Sequence, residues 1–166
     1  MRKKRITRRR IINTIKILIL LLVILVISGI LTLYISKRPL HQDESKTTEL
    51  VQQYAKFSDI DDFRKVNVNQ TYYSVSGKNS KNQDSYAIVS SNFKKIRVLK
   101  KSDGISEAKA KETALNAVSN SQVENSGLIL FKNKPAWMIS LKMQNGGYKY
   151  ITINLKDGKV LQKLSV

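Results

Sequence analysis

The chain has few side chains that could carry out acid–base or metal chemistry. Its one histidine, His41, lies in a polar stretch, whereas a serine triad or a zinc site would need further partners beside it. Three acids, Asp59, Asp61 and Asp62, are close enough in sequence to share a hard cation. They lack the glycine turn and the later bidentate glutamate of a calcium loop, so we interpret them as residues of a helix end and turn.

The sequence also contains no clear motif for phosphate binding and no residue for thiol chemistry. Gly146 and Gly147 follow Asn145 in a pattern typical of a tight hairpin turn, not of a phosphate-binding loop between a strand and a helix. The chain contains no cysteine, which excludes disulfides, thiolate metal sites and cysteine nucleophiles. We therefore expect no catalytic residue, no metal site and no cofactor, and we classify the protein as a non-enzyme.

The aromatic residues are the remaining candidates, and their chemistry is binding. Most lie on predicted strands, where packing in a core is their usual role. Tyr148 and Tyr150 alternate with Ile151 and Ile153, which places the tyrosines on the opposite face of the strand. We predict that Tyr148 and Tyr150 are partner-binding residues.

An uncharged apolar segment, residues 17–35, determines where these candidates must act. Its 19 residues form a helix long enough to cross the ~30 Å hydrocarbon core of a bilayer. A cleaved signal peptide is the competing interpretation, but the apolar run is longer than usual and no good small-x-small site follows it. We predict an uncleaved single-span anchor.

Charge predicts the orientation of this anchor. Eight lysines and arginines lie in the tail 1–16, which has no acid, so we expect a cytoplasmic N-terminus and an extracellular C-terminal part. The formal net charge is +18, and from residue 36 onward 22 lysines and arginines stand against 12 acids. This excess favours anionic wall polymers as possible partners, whereas an extracellular location excludes nucleic acid.

The remainder of the chain repeats one pattern, a helix followed by antiparallel strands. After a polar linker at 36–46, the first module (47–101) begins with an amphipathic helix whose predicted inner face is Leu50, Val51, Tyr54 and Phe57. Three or four strands follow it. The expected fold class is α+β, with one helix covering one face of each sheet.

The second module (102–166) has clearer signals. Ser106 is a predicted N-cap, followed by an alanine-rich helix. A short apolar run begins at Leu128, and two alternating strands joined by the turn at Asn145 come next.

Residues 104–161 resemble the PepSY domain in three successive segments, GISEAKAKETALNAV, AWMISLKM and GYKYITINLKDGKVLQ. The layout of a basic start, one span, a divergent first module and this second module is similar to the TseB-like (formerly YpmB-like) proteins of Gram-positive bacteria. The resemblance implies two tandem cystatin/PepSY-like modules on the outer face of the membrane. It also implies regulation of cell-wall elongation through contact with a class B penicillin-binding protein.

Two other functions stay open at this point. PepSY modules are linked to the restraint of peptidases, so the protein could inhibit or regulate a cell-surface peptidase. Electrostatic attachment to anionic wall polymers is the third hypothesis, because of the cationic exported part.

Overall fold

The computed structural model describes the backbone of residues 2–67 and 69–166, and the side chains of 14–31, 41–67 and 69–166. The chain divides into two compact units, Met1–Asp43 and Glu44–Val166. The helices and strands, in chain order, are α1 (Arg2–Ala55), β1 (Phe57–Asn67), β2 (Thr71–Asn79), β3 (Asp84–Ser90), β4 (Ile96–Lys100), a 3₁₀ turn (Lys101–Asp103), α2 (Glu107–Ala117), β5 (Ser121–Phe131), β6 (Lys134–Met143), β7 (Tyr148–Asn154) and β8 (Val160–Ser165).

The first unit is helical and contains the apolar segment. Thr14–Leu31 has a mean hydropathy of 2.9, is long enough to cross a membrane, and has no residue buried by protein. This finding supports a membrane anchor or a signal sequence, both of which have such a segment near the N-terminus. The side chains of the basic residues 2–10, of the end of the predicted span at 32–35, and of the linker residues 36–40 lie outside the described residues.

The first module of the second unit packs the last turns of α1 on a four-stranded sheet of order β1-β2-β3-β4. Thr47 and Val51 are fully buried one turn apart, and Val51 joins a core with Tyr73 and Val75 of β2. The predicted inner face was therefore partly wrong, because Tyr54 is 67% exposed.

The backbone explains this difference. Helix α1 ends at Ala55, and Lys56 adopts a left-handed conformation with a φ of 57°, which turns the chain directly into β1. Phe57 is thus the first residue of a strand and not the last of a helix face. The predicted linker 36–46 is helical and belongs to α1.

The second module packs α2 on a four-stranded sheet of order β5-β6-β7-β8. Ser106 caps α2 as predicted, since its Oγ accepts a hydrogen bond from the Lys109 N–H at 3.2 Å. The core between helix and sheet contains Ala110 and Ala114 of α2 together with Leu128, Trp137, Ile139, Ile151 and Ile153. Strand β5 starts at Ser121, earlier than the apolar run that predicted it, because its first half is an exposed polar strand with a bulge.

The two modules share a core within this unit. Ile88 of β3 belongs to the same buried cluster as Leu128 and Trp137 of the second module. Three hydrogen bonds join the backbone of one module to side chains of the other: Leu128 N–H to Ser74 Oγ (3.2 Å), Asn125 Nδ2 to Lys65 O (3.0 Å) and Tyr72 O–H to Leu130 O (3.2 Å). The predicted fold class is confirmed as α+β, with an N-terminal apolar helix followed by two antiparallel sheets that each pack against a helix.

Candidate functional site

A groove of about 350 Å³ runs between the two modules, on the face of the second sheet that α2 does not cover. Residues from both modules line it, among them Tyr72 of the first and Ile129, Phe131, Met138 and Tyr150 of the second. It exists because strand side chains alternate: Ile151 and Ile153 point to α2, whereas Tyr150 and Thr152 point to the groove.

The chemistry of the groove suits binding more than catalysis. Its floor is apolar, and its polar groups are mainly neutral amides and hydroxyls. Among the described residues that line it, Lys132 is the one with a charged side chain, and none is a carboxylate or an imidazole. A groove of this kind offers an apolar surface with a few orienting hydrogen bonds, but no pair of groups for acid–base work.

The structure separates the two tyrosines that the sequence singled out. Both lie on the predicted face of β7, but only Tyr150 lines the groove, where it packs beside Ile129 and Met138. Tyr148 is 37% exposed at the start of the strand. Their role in binding a partner stays a prediction.

Sequence reasoning missed the groove residues outside β7. Tyr72 is one of the strand aromatics for which core packing was the expected role, yet its O–H donates to Leu130 O of the second module. Gln162 and Leu164 of β8 also line the groove. Their i, i+2 spacing was a usable signal, but a period-two pattern does not tell which face another module will partly cover.

A second, smaller cleft of about 120 Å³ lies between the modules, and Glu107 is among the residues that line it. Its carboxylate accepts hydrogen bonds from Ser126 Oγ at 2.5 Å and from Lys111 Nζ at 2.6 Å. Burial raises the pKa of Glu107. The hydrogen bonds from Lys111 and Ser126, with the charges of Lys111 and Arg64, outweigh burial and lower the pKa below its usual value.

This shift argues against a catalytic role for Glu107. A general acid or base needs a pKa near the operating pH, and a lowered carboxylate pKa moves away from it. The neighbouring Tyr86 has its pKa raised by burial and by the charges of Glu107 and Asp84, so its hydroxyl stays neutral near pH 7. The geometry assigns Glu107 to holding α2 against β5 at the module junction.

Of the other candidate residues, Asp62 lines the smaller cleft, whereas His41, Asp59 and Asp61 line neither of these two cavities. His41 is exposed on α1. Asp59, Asp61 and Asp62 lie on β1 and not at a helix end as interpreted, because β1 starts at Phe57 and contains two irregularities in register that accommodate them.

The three carboxylates bind different groups. Asp62 pairs with Arg64 Nε at 2.7 Å, Asp61 pairs with Lys101 Nζ at 3.4 Å, and Asp59 accepts from the Ile60 N–H at 2.9 Å. Within the part of the chain whose side chains are described, no three such residues converge on a possible metal site.

Together, the apolar N-terminal helix and the two helix-on-sheet modules define a class of proteins built from tandem α+β modules. Two family matches identify the class more closely. Residues 46–90 match the cell wall elongation regulator TseB-like domain, and residues 104–164 match the peptidase propeptide and YPEB domain, called PepSY. The chain therefore contains a TseB-like domain over residues 46–90 and a PepSY domain over residues 104–164. Both are regulatory or propeptide-like domains.

A solved structure shows the same fold. The YpmB protein from Bacillus subtilis superposes with a TM-score of 0.61 at 22% sequence identity, covering 74% of this chain and 96% of that one. A candidate lipoprotein from Clostridium difficile 630 gives a TM-score of 0.41 at 18% identity, covering 74% of this chain and 92% of that one. No relative was found among the curated proteins.

Proposed function

We propose that this protein is a membrane-anchored, non-enzymatic regulator of cell-wall elongation that acts by binding a class B penicillin-binding protein outside the cell. The observation that carries the proposal is the TseB-like match over residues 46–90, since that domain is described as a cell wall elongation regulator. The neutral groove supports it further, because its chemistry is that of a binding surface.

The proposed topology explains how weak contacts with a membrane-bound partner would be enough for binding. The apolar segment Thr14–Leu31 precedes the first module in the chain, and the core of that module includes Val51. A module held near the bilayer meets other membrane-anchored proteins at a high effective concentration. A modest interface would then give substantial occupancy without a catalytic step.

Crosslinking in intact cells tests this function. A photoreactive residue at Tyr150 in the groove should capture a membrane-bound transpeptidase, and the same residue at exposed Tyr54, outside the groove, is the matched control. We expect the transpeptidase with the groove probe and less of it with the control. Recovery of cytoplasmic or ribosomal proteins alone would contradict both the partner and the location.

The location has its own test. An epitope tag after Val166 should be digested by protease added to intact cells, and a tag before Met1 should be protected. Protection of the C-terminal tag would place both modules in the cytoplasm and end the proposal.

Regulation of a cell-surface peptidase is the second candidate. The PepSY match over residues 104–164 favours it, because that domain is described as a peptidase propeptide domain. Purified full-length protein in nanodiscs should slow cleavage by a surface peptidase if this function holds. Unchanged cleavage rates across the surface peptidases of the same cell would remove it.

A further inference from the structure

Among the described residues the two sheets have four edge strands, and three of them are protected from pairing with another chain. Strand β1 contains two irregularities in register, and β5 lies against the first module, where Asn125 binds Lys65 O. Strand β4 lies in the segment 94–101, which contains five lysines and arginines and no acid. Irregular register, coverage and charge are the usual ways in which proteins block edge-to-edge pairing.

Strand β8 has less protection, because its one register shift lies between Val160 and Gln162 and the pairing of Gln162–Ser165 with β7 is regular. It pairs with β7 on one side, and no strand lies on its other side within the described part of the chain. Val160 and Leu161 are 36% and 42% exposed. Its one cationic side chain, Lys163, is held against the last residue of α2, where Nζ donates to Ala117 O at 3.0 Å.

The register shows which backbone groups of β8 face outward. Tyr148 and Val166 exchange both of their backbone hydrogen bonds, at 3.1 and 3.0 Å. In an antiparallel ladder such pairs alternate with pairs that are not hydrogen-bonded, so Leu164 also bonds to β7. Lys163 and Ser165, between these positions, direct their N–H and C=O groups away from the sheet.

The two faces of β8 differ in chemistry. Gln162 and Leu164 line the apolar groove. Lys163 lies on the opposite face, toward α2, and Lys149 of β7 shares that face because it pairs with Ser165. A strand added beside β8 would therefore place alternate side chains against an apolar groove and against lysines.

We propose that the outer edge of β8 binds an extended segment of a partner protein by strand addition, and that this segment alternates apolar and acidic side chains. The apolar side chains would extend the groove face, and the acidic ones would lie near Lys149 and Lys163. This inference rests on the proposed function for the kind of partner, a protein, and it adds the surface and the sequence pattern that would be recognised.

Charge complementarity favours such a segment over a second copy of this chain. From residue 36 onward the protein has 22 lysines and arginines against 12 acids. Two copies paired through β8 would bring Lys163 of each close to the other edge, and like charges on neighbouring strands destabilise the pairing. An acidic segment removes that repulsion.

Peptide binding to the full-length chain in nanodiscs tests the inference. The probe is a fluorescent eight-residue peptide of alternating valine and glutamate, capped at both ends, and the control replaces each glutamate by lysine. We expect the acidic peptide to bind at least about ten times more tightly, with the difference shrinking as salt is raised. Equal binding of the two peptides would overturn the inference.

Two substitutions at one position separate backbone pairing from side-chain contact. Ser165→Pro removes an outward N–H that the β7–β8 ladder does not use, whereas Ser165→Ala keeps that N–H and removes only the hydroxyl. Binding should fall at least about tenfold in Ser165→Pro and stay unchanged in Ser165→Ala. Equal affinity in the proline variant would contradict strand addition, as would self-association of the chain that the peptide does not reverse.

The peptide provides a version of this test that leaves the protein intact. N-methylation of every second amide should abolish binding when the methylated amides face β8, and should preserve it in the other register. Equal binding in both registers refutes the model even if Ser165→Pro fails to fold.

Failure of this inference differs from failure of the proposed function. Suppose that the N-methylated peptides bind as expected, but a photoreactive residue at Gln162 on β8 captures a protein other than a transpeptidase in cells. The edge site is then supported and the proposed partner is contradicted. If the transpeptidase is captured from another surface and the peptide does not bind, the function stands and the edge site falls.

Discussion

Gly127 of β5 lies in close contact with the first module, and replacing it with alanine tests how the two modules pack. A Cβ at this position would lie 2.5 Å from Val66 Cγ2, 3.2 Å from Ser74 Oγ and 3.3 Å from Arg64 Cβ. Gly127 does not have a positive φ, so alanine meets no backbone strain. The effect of Gly127→Ala therefore isolates the packing between β5 and the first sheet.

The magnitude follows from the contact with Val66. Ordinary van der Waals contacts to a Cβ begin near 3.4 Å, so Val66 Cγ2 must move by about 1 Å. Val66 is β-branched and only 3% exposed, so few other rotamers are available to it. Overpacking of this kind costs about 1–3 kcal/mol. The lower entropy of the unfolded alanine chain offsets about 0.4–1 kcal/mol of it. We expect a net loss of about 1–2 kcal/mol.

Urea unfolding of the full-length chain in detergent measures this loss. Trp137, the one tryptophan, reports on the junction because it is buried, donates to Ile105 O at 3.1 Å, and contacts the ring of Tyr86 at 5.5 Å. With a slope of about 2 kcal/mol/M, the midpoint should fall by about 0.5–1 M. Gly29→Ala is the matched control, because a Cβ at Gly29 meets nothing within 4 Å.

A double-mutant cycle decides whether the Val66 contact is the cause. Val66→Ala removes the atom that clashes, so Gly127→Ala should cost about 1 kcal/mol less in that background than in the wild type. An unchanged midpoint in Gly127→Ala would refute the close approach of the modules. A cost that is the same in both backgrounds would refute the assignment to Val66.

Three further predictions concern the elements around this junction. Glu107→Gln should reduce stability by about 1–2 kcal/mol at pH 7. The pKa of Glu107 is lowered on folding, so its contribution is present above its unfolded pKa near 4.5 and lost as the pH falls through the folded pKa. The difference between the two proteins in urea titrations should therefore shrink below pH 4.5, and a constant difference would contradict the assignment. Ser106→Ala should reduce stability by about 1 kcal/mol, because the cap on α2 is lost. Ser106→Asp should keep most of the stability that the cap provides, and equal losses for the two variants in thermal unfolding would count against capping. Val51→Ala should destabilise the first module by about 1–2 kcal/mol, because it leaves a cavity in the core. Tyr54→Ala, at an exposed position, should change stability by less than about 0.5 kcal/mol. A larger loss for Tyr54→Ala than for Val51→Ala would support the helix face that the sequence suggested.

The acids on β1 show why some site residues could not be interpreted from sequence. Asp59, Asp61 and Asp62 have the composition of a turn, and strand propensity disfavours aspartate. They are tolerated in a strand because irregularities in register and ion pairs with Arg64 and Lys101 accommodate them. Arg64 is only two residues from Asp62, but Lys101 and the paired strand β2 come from other parts of the chain, so the local pattern contains only part of the explanation.

The groove illustrates the same limit for function. Alternation along β7 was enough to place Tyr148 and Tyr150 on the face opposite Ile151 and Ile153. It did not show that the first module borders part of that face, which puts Tyr150 in a groove and leaves Tyr148 at the end of the strand.

By itself the sequence determined the properties that depend on neighbouring residues. These are the apolar segment, the order of helix and strands in each module, the cap at Ser106, the glycine turn after Asn145 and the family resemblance. Each arises from hydrophobic periodicity or backbone preference over a few residues. Only the tertiary structure decided where α1 turns into β1, which face of each sheet is covered, and that the modules meet at Gly127 and leave β8 as an open edge. These features depend on contacts between residues far apart in the chain, whose packing no local pattern records.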